Sequence, residues 1–334
     1  MSLATVIVPT VEGSTRLESL LASLAGQTLA HEVVVVDNGS SGDGVRATCE
    51  RFGVDQVIRF ERNAGFTRAI NAGARRASGG ALVLLNDDCV CDPEFVERVS
   101  GALDPARGVV MAAGVMRDPR YPWLIDTAGM ELDRTLLVFD YLHGEPLTRI
   151  DRGVPDPIGP CAAAAAFDRD AFLAVGGFDE RLFAYWEDVD LVLRLRRDGA
   201  RCALAAGARG THEHSATLGP GSARKDFLTG FGRGYVLRKW GVLTPRRLGP
   251  VLARDAVVCA GQAAFDRNLA GVRGRLRGYM AATPSERYPG AMEGISHSVT
   301  ALGTLRRRAA RRARLRRAVG REVGRGRPDG NGAL

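Results

Sequence analysis

Apolar and polar positions alternate between two periods along most of this chain. ATVIVPT (4–10) is a short apolar, β-branched run that ends at a proline and reads as a buried strand. Leu17, Leu20, Leu21 and Leu24 then recur at helical spacing, with Gly26 as a stop. HEVVVVD (31–37) is a second buried strand and runs into a loop of Asn, Gly, Ser and Asp. The same reading predicts a helix over 44–52, a strand over 56–60, a helix over 66–77, a strand over 81–88, a helix over 93–103 and a strand over 108–116. Residues 117–156 read as an irregular excursion rich in Pro, Gly and Asp. A strand-like start at 161 then leads into a helix over 168–175. A helix over 188–199 stops at Gly199, CALAAG (202–207) is the last strand, and 223–282 is mainly helical. Strands alternating with helices predict an α/β fold with a mostly parallel, doubly wound sheet flanked by helices and a helical C-terminal extension. Ligands of such sheets bind at the carboxyl ends of the strands. Thr10, Asp37–Asn38 and Asn86–Asp87–Asp88 all fall at such ends.

Composition narrows the class. The chain has 334 residues, 45% hydrophobic and 25% charged, as in ordinary globular proteins. No run reaches the roughly 18 uninterrupted apolar residues of a membrane span. The best stretch, 251–265, is broken by Arg254, Asp255 and Gln262. The chain enters a strand directly, without a signal-peptide pattern, and its six cysteines are scattered. Both features lead us to expect free thiols and a cytoplasmic protein, peripheral at the inner face of the membrane if it meets lipid. Charge is lopsided. Residues 304–334 carry 11 Arg against Glu322 and Asp329, a net +9 of the chain's +8, so the body is near neutral. This tail reads as a contact for an anionic membrane surface or as a solvated helix, and as partly disordered. Nucleic acid is not expected, because the body shows no basic face.

The chemistry-bearing motifs have ordinary readings beside the functional ones. Asp37–Asn38–Gly39–Ser40 is a turn after a strand, or a carboxylate placed to accept from a uracil or thymine imide. Asn63, Gly65 and Asn71 lie in RNAGFTRAINAG, where a plain helix entry explains them equally. Adjacent carboxylates at Asp87 and Asp88 repel, which a divalent cation relieves. Oxygen ligands suit Mg²⁺ or Mn²⁺, and the alternative is an acidic helix cap. FAYWEDVDL (183–191) sets Glu187, Asp188 and Asp190 among aromatic and apolar residues. In the first turn of a helix the dipole favours such carboxylates. His212 and His214 follow the last strand at i, i+2 and point to opposite faces if it continues.

Taken in order, VIVPT, VVDNGS, RNAGFTRAINAG, LLNDD, GGFDERLFAYWEDVDLVLRLRRDG and H-x-H resemble the family 2 glycosyltransferases with the GT-A fold. The similarity is strongest to the rhamnosyltransferase-like and galactofuranosyltransferase-like branches and covers about residues 4–240. The resemblance implies an inverting enzyme using a nucleotide-diphosphate sugar, a divalent metal, and a glycan or lipid-linked acceptor. It implies that Thr10 and Asp37 line the nucleoside pocket, that Asn63 and Gly65 shape the diphosphate and sugar side, and that Asn38 and Asn71 also belong to the donor-binding set. Asn86, Asp87 and Asp88 stand where the family has D-x-D, with Asp88 on the metal and Asp87 near the ribose. Asp188 matches the general base, with Glu187 and Trp186 beside it on the substrate. His212 or His214 reaches the metal. The chain departs from the pattern at Val11–Glu12 and at Asn86. Rhamnose or galactofuranose from a dTDP- or UDP-donor is the favoured transfer. The rivals are a non-catalytic nucleotide-sugar scaffold and a nucleotidyltransferase, for which PTVEGSTR is a poor triphosphate loop. The expected organisation is a catalytic domain over 1–222, a helical region over 223–303 and the Arg-rich tail over 304–334.

Overall fold

The structure is a computed structural model that describes residues 4–12, 15–213, 221–288 and 295–296. His214 and the Arg-rich tail lie outside the described residues. In chain order the first elements are β1 (Ala4–Thr10), α1 (Thr15–Ala25), β2 (His31–Asp37), α2 (Gly44–Phe52), β3 (Gln56–Arg59), α3 (Phe66–Arg76) and β4 (Ala81–Leu85). These follow the sequence pattern closely. A four-strand parallel block forms in the order β3-β2-β1-β4. Its register pairs Thr10 with Asp37, so both end at the same sheet edge.

Beyond β4 come β5 (Cys89–Cys91), α4 (Phe95–Ser100), β6 (Val109–Asp118), β7 (Tyr121–Thr127), β8 (Met130–Asp133), β9 (Val138–Asp140), β10 (Ala164–Asp168), α5 (Arg169–Ala174), α6 (Glu187–Arg197) and β11 (Arg201–His212). β10 runs antiparallel to both β4 and β6, β11 runs parallel to β6, and β5 closes the edge antiparallel to β11. The sheet is therefore mixed but mostly parallel. Alternate residues of its strands feed two cores. Ile7, Val34, Val36, Leu82 and Leu84 pack with α3 and α6 on one face. Val6, Val8, Val33, Val35 and Val83 pack with α1, α2 and α4 on the other. Burial on both faces is why these strands read as continuous apolar runs.

Two expectations are corrected here. Residues 117–156 are not irregular: they hold β7, β8, β9 and a short 3₁₀ turn over Leu147–Arg152. β7 contains a proline, β8 has four residues and β9 has three, too few for a period of two to register. The last strand does not stop at 207 but continues through a bulge to His212.

Three further α-helices follow among the described residues: α7 (Ala223–Lys239), α8 (Pro245–Gly261) and α9 (Ala270–Ala281). α7 and α9 meet backbone to backbone. A Cβ at Gly234 would lie 2.0 Å from Arg275 O, and one at Gly274 would lie 2.1 Å from Phe227 O. Only glycine permits that separation. No described helix is long and apolar enough to cross a membrane.

Candidate functional site

The carboxyl ends of β1, β2 and β4 gather the first group. Thr10 Oγ donates to Asp87 Oδ2 at 2.6 Å. Burial pushes the Asp87 carboxyl up, and the Thr10 hydrogen bond offsets part of that. Asp37 is buried; its Oδ1 accepts from Ser40 N–H at 2.9 Å and its Oδ2 faces Arg59 Nε at 3.5 Å. Asn86 leads into this turn at the end of β4, half-buried, with its N–H bonded to Ala163 O.

The second group is built by β4, β7 and β11. Asp88 Oδ1 lies 3.3 Å from His212 Nε2, and His212 Nδ1 lies 3.3 Å from Asp126 Oδ2. Burial alone would lower the His212 pKa; the carboxylates of Asp126 and Asp88 outweigh it and lift the imidazole to about 9. Asp88 Oδ1 is buried without a hydrogen-bond partner among the described residues. Asp88, Cys89 and His212 present ligand atoms within 4.8 Å of one another. The Cys89 thiol donates to Ala163 O, and burial holds it well above its ordinary pKa. That leaves one carboxylate oxygen and one imidazole nitrogen, a donor set that fits Mn²⁺ or Mg²⁺. Asp126 had no local signal in the sequence, because only the pairing of β7 with β6 carries it to β11.

The third group sits at the start of α6. Tyr185 and Trp186 take left-handed backbone angles, φ 69° and 73°, which disfavour side chains with a Cβ. The double turn throws Glu187 and Asp188 into the first turn of the helix. Glu187 is buried and its Oε2 has no hydrogen-bond partner among the described residues. Burial pushes its carboxyl up, and the charge of Asp188 adds to that. Asp188 is half-buried and accepts from Val189 N–H at 2.8 Å. Burial raises its pKa first, the charge of Asp140 adds, and the N–H groups of Val189 and Ala162 oppose the rise. Segment 161–163 joins this group to the second, because Ala163 O takes the Cys89 thiol while Ala162 N–H serves Asp188.

Three of the expected ligand residues make contacts inside the protein. Asn38 spends its amide inside the protein: its Nδ2 reaches Asn63 Oδ1 and Gly65 O at 3.2 Å, and its Oδ1 accepts from Ala64 N–H. It fixes the 63–65 loop. Asn71 clamps Phe178 through both N–H and C=O at 2.9 Å. Trp186 is 6% exposed, packs in the core, and is covered by the Arg233 guanidinium at 5.3 Å. A sugar ring cannot lie on it, and Tyr185 is the half-buried aromatic beside Lys225. Gly65, with φ 97°, is required by contact as well: a Cβ would lie 2.6 Å from Phe183 O. Asn63 is exposed at the mouth of that loop.

Gly232 on α7 makes room for the strained turn. A Cβ there would lie 2.6 Å from both Tyr185 O and Trp186 Cδ1. Gly232→Ala should lower stability by about 1–3 kcal/mol and turnover by at least about tenfold. Urea titration and steady-state rates on the folded fraction check both. An unchanged rate would show that the turn does not set the position of Asp188.

A sequence profile described as "Glycosyl transferase family 2" matches residues 5–172. The chain belongs to glycosyltransferase family 2. Among named relatives, an O-antigen biosynthesis protein from Myxococcus xanthus is 29% identical over 229 residues. That match spans 64% of this chain and 17% of the relative, so the chain covers a small part of that protein. The fold has solved counterparts of GT-A type. The structure of GalNAc-T7 with UDP, GalNAc and Mn²⁺ superposes with a TM-score of 0.60 at 16% identity, over 85% of this chain and 55% of that one. A mannosyltransferase from Pyrobaculum calidifontis in complex with GDP-Man and Mn²⁺ gives 0.52 at 18% identity, over 92% and 80%. As a family 2 member the chain has a mixed, mostly parallel sheet, with its three carboxylate groups joined through one short segment.

Proposed function

We propose that this chain transfers a sugar, with inversion, from a nucleotide-diphosphate donor to a hydroxyl of a glycan or lipid-linked acceptor. The observation that carries this reading is the coexistence of a buried Glu187, whose Oε2 has no hydrogen-bond partner among the described residues, with a buried Asp88 that faces His212 and a half-buried Asp188. Such groups destabilise a fold, and a passive scaffold gains nothing by keeping them. A nucleotidyltransferase needs a triphosphate loop after β1, and Val11–Glu12 is no such loop.

Asp188 acts as base. It takes the proton of the acceptor hydroxyl as that oxygen bonds to the anomeric carbon. The bond from that carbon to the diphosphate breaks with its electron pair leaving on phosphate oxygen, so configuration inverts. Asp88 and His212 would hold a divalent cation, and such an ion would supply neutralisation of charge on the departing diphosphate. Asp126 orients His212 through Nδ1. Thr10, Asp37 and Asp87 receive the nucleoside, while Asn63, Gly65 and Asn86 border the diphosphate and sugar. Rhamnose or galactofuranose from a dTDP- or UDP-donor remains the favoured substrate, on the branch resemblance of the motifs. The relative named for O-antigen biosynthesis supports an envelope-polysaccharide acceptor. We place the protein on the cytoplasmic side, with the Arg-rich tail 304–334 available to an anionic membrane surface.

Calorimetry with UDP-, dTDP- and GDP-sugars, with and without Mn²⁺, tests the reading. One nucleotide class should bind in a metal-dependent way, and Asp88→Ala should weaken it by at least about tenfold. A folded protein that binds no donor would return the scaffold reading.

A further inference from the structure

α9 is amphipathic in reverse. Its glycines, Gly271, Gly274 and Gly278, are buried, the last two against the backbone of α7. Its large apolar residues point the other way. Leu269, Val272, Leu276 and Met280 follow one another at steps of three and four, the spacing of a single helix face. With Phe265 in the turn before α9 and Leu252 on α8, they are between 46% and 77% exposed. Scattered exposed apolar residues need no explanation, but an aligned row of large ones does.

The charges of this region have one sign. Between 245 and 281 the exposed ionisable residues are arginines, among them Arg246, Arg267, Arg273 and Arg277. The acids of the stretch are withdrawn. Asp255 is buried against Arg233, and Asp266 is half-buried. An apolar row edged only by guanidinium groups fits a surface that is apolar inside and anionic at its rim.

We propose that the outward face of α9, together with exposed Phe265 in the turn before it, docks on the surface of an anionic lipid bilayer. Apolar side chains on such a face enter the acyl boundary by roughly 5–10 Å while arginines stay with the headgroup phosphates. A second copy of the chain is a poorer occupant, because pairing these faces brings arginine rims together. Residues 304–334, with net +9, are repelled by the same rim. α7 separates α9 from the Tyr185–Trp186 turn, since Gly232 touches that turn and Gly274 lies on α7. Two helices, α9 and α7, thus stand between the docking face and the catalytic group, about 20 Å in all. The docking does not rest on the transferase reading.

The test uses the full chain and no sugar. Co-sedimentation is measured with phosphatidylcholine vesicles with and without phosphatidylglycerol. The protein should bind the anionic vesicles at least about tenfold more tightly, and less so at high salt. The variant Phe265→Ser, Leu269→Gln, Leu276→Gln replaces only exposed side chains and keeps every arginine of the tail. Its thermal midpoint should match the parent, and its vesicle binding should fall by at least about tenfold. Arg273→Gln with Arg277→Gln should weaken binding about tenfold, for anionic vesicles only. Unchanged binding by the triple variant would assign any lipid contact to the tail and overturn the proposal. So would failure of the parent to bind either vesicle. A parent that is dimeric in sedimentation velocity, with a monomeric triple variant, would give the face to a second copy and overturn it equally.

Discussion

Asp188→Asn should lower the transfer rate by about a thousandfold, the scale of a lost general base, while donor affinity stays nearly unchanged. The amide keeps the size of the side chain and cannot accept the acceptor proton. The variant should also be more stable than the parent at neutral pH, by on the order of 1 kcal/mol. Burial raises the carboxyl pKa values of Glu187 and Asp188 in the folded state. An acid whose folded pKa lies above its unfolded value binds its proton more tightly when folded. Ionisation then subtracts stability as pH rises from the ordinary carboxylate range, about 4, through the raised folded values. The parent loses that stability and the amide variant loses less of it, so their unfolding midpoints should converge below about pH 4 and separate toward pH 8. Activity has the opposite sign. The base must be ionised, so the parent's rate should fall on acidification at a pH above the ordinary carboxylate range. Loss of donor binding together with activity would show that Asp188 serves binding and not proton transfer.

Asp190→Ala should have the largest effect on stability, with little effect on chemistry. Asp190 lies two residues beyond Asp188 on the same helix yet is fully buried. Its Oδ2 accepts from Arg194 Nε and Lys239 Nζ at 2.9 Å, and its Oδ1 accepts from Trp240 Nε1 at 3.0 Å. The group ties α6 to the end of α7. Removing the carboxylate leaves Arg194 with only the Val175 and Gly177 carbonyls, Lys239 with only Asp179, and the indole N–H without its acceptor; breaking a buried ion pair costs about 3–5 kcal/mol. Urea unfolding should show a fall of that size, while turnover per folded molecule stays within severalfold of the parent. A thousandfold loss of turnover without a stability change would move the base to Asp190.

These two carboxylates show what a local pattern conveys. Both lie in an acidic helix start, and their helical faces already separate a catalytic candidate from a structural one. The partners that fix Asp190 come from α7, some fifty residues away, and only folding supplies them. The internal contacts of Asn38, Asn71 and Trp186 were hidden for a similar reason. A polar or aromatic side chain beside a motif is equally suited to holding the motif's own loop, and hydrogen bonds to Gly65 O and Phe178 are invisible in a linear string.

The sequence by itself determined the alternating strands and helices of 4–118 apart from β5, the placement of Thr10, Asp37 and Asp88 at strand ends, the acidic start of α6 and the family resemblance of six ordered motifs. Those features are local or nearly so: period, capping and turn chemistry act within a few residues. The tertiary structure decided the antiparallel insertion of β10 between β4 and β6, the arrival of Asp126 beside His212, and the glycine-lined packing that turns the apolar row of α9 outward. Each depends on which surfaces meet, and pairing across tens of residues is set by the burial of the whole core rather than by any one segment's preference.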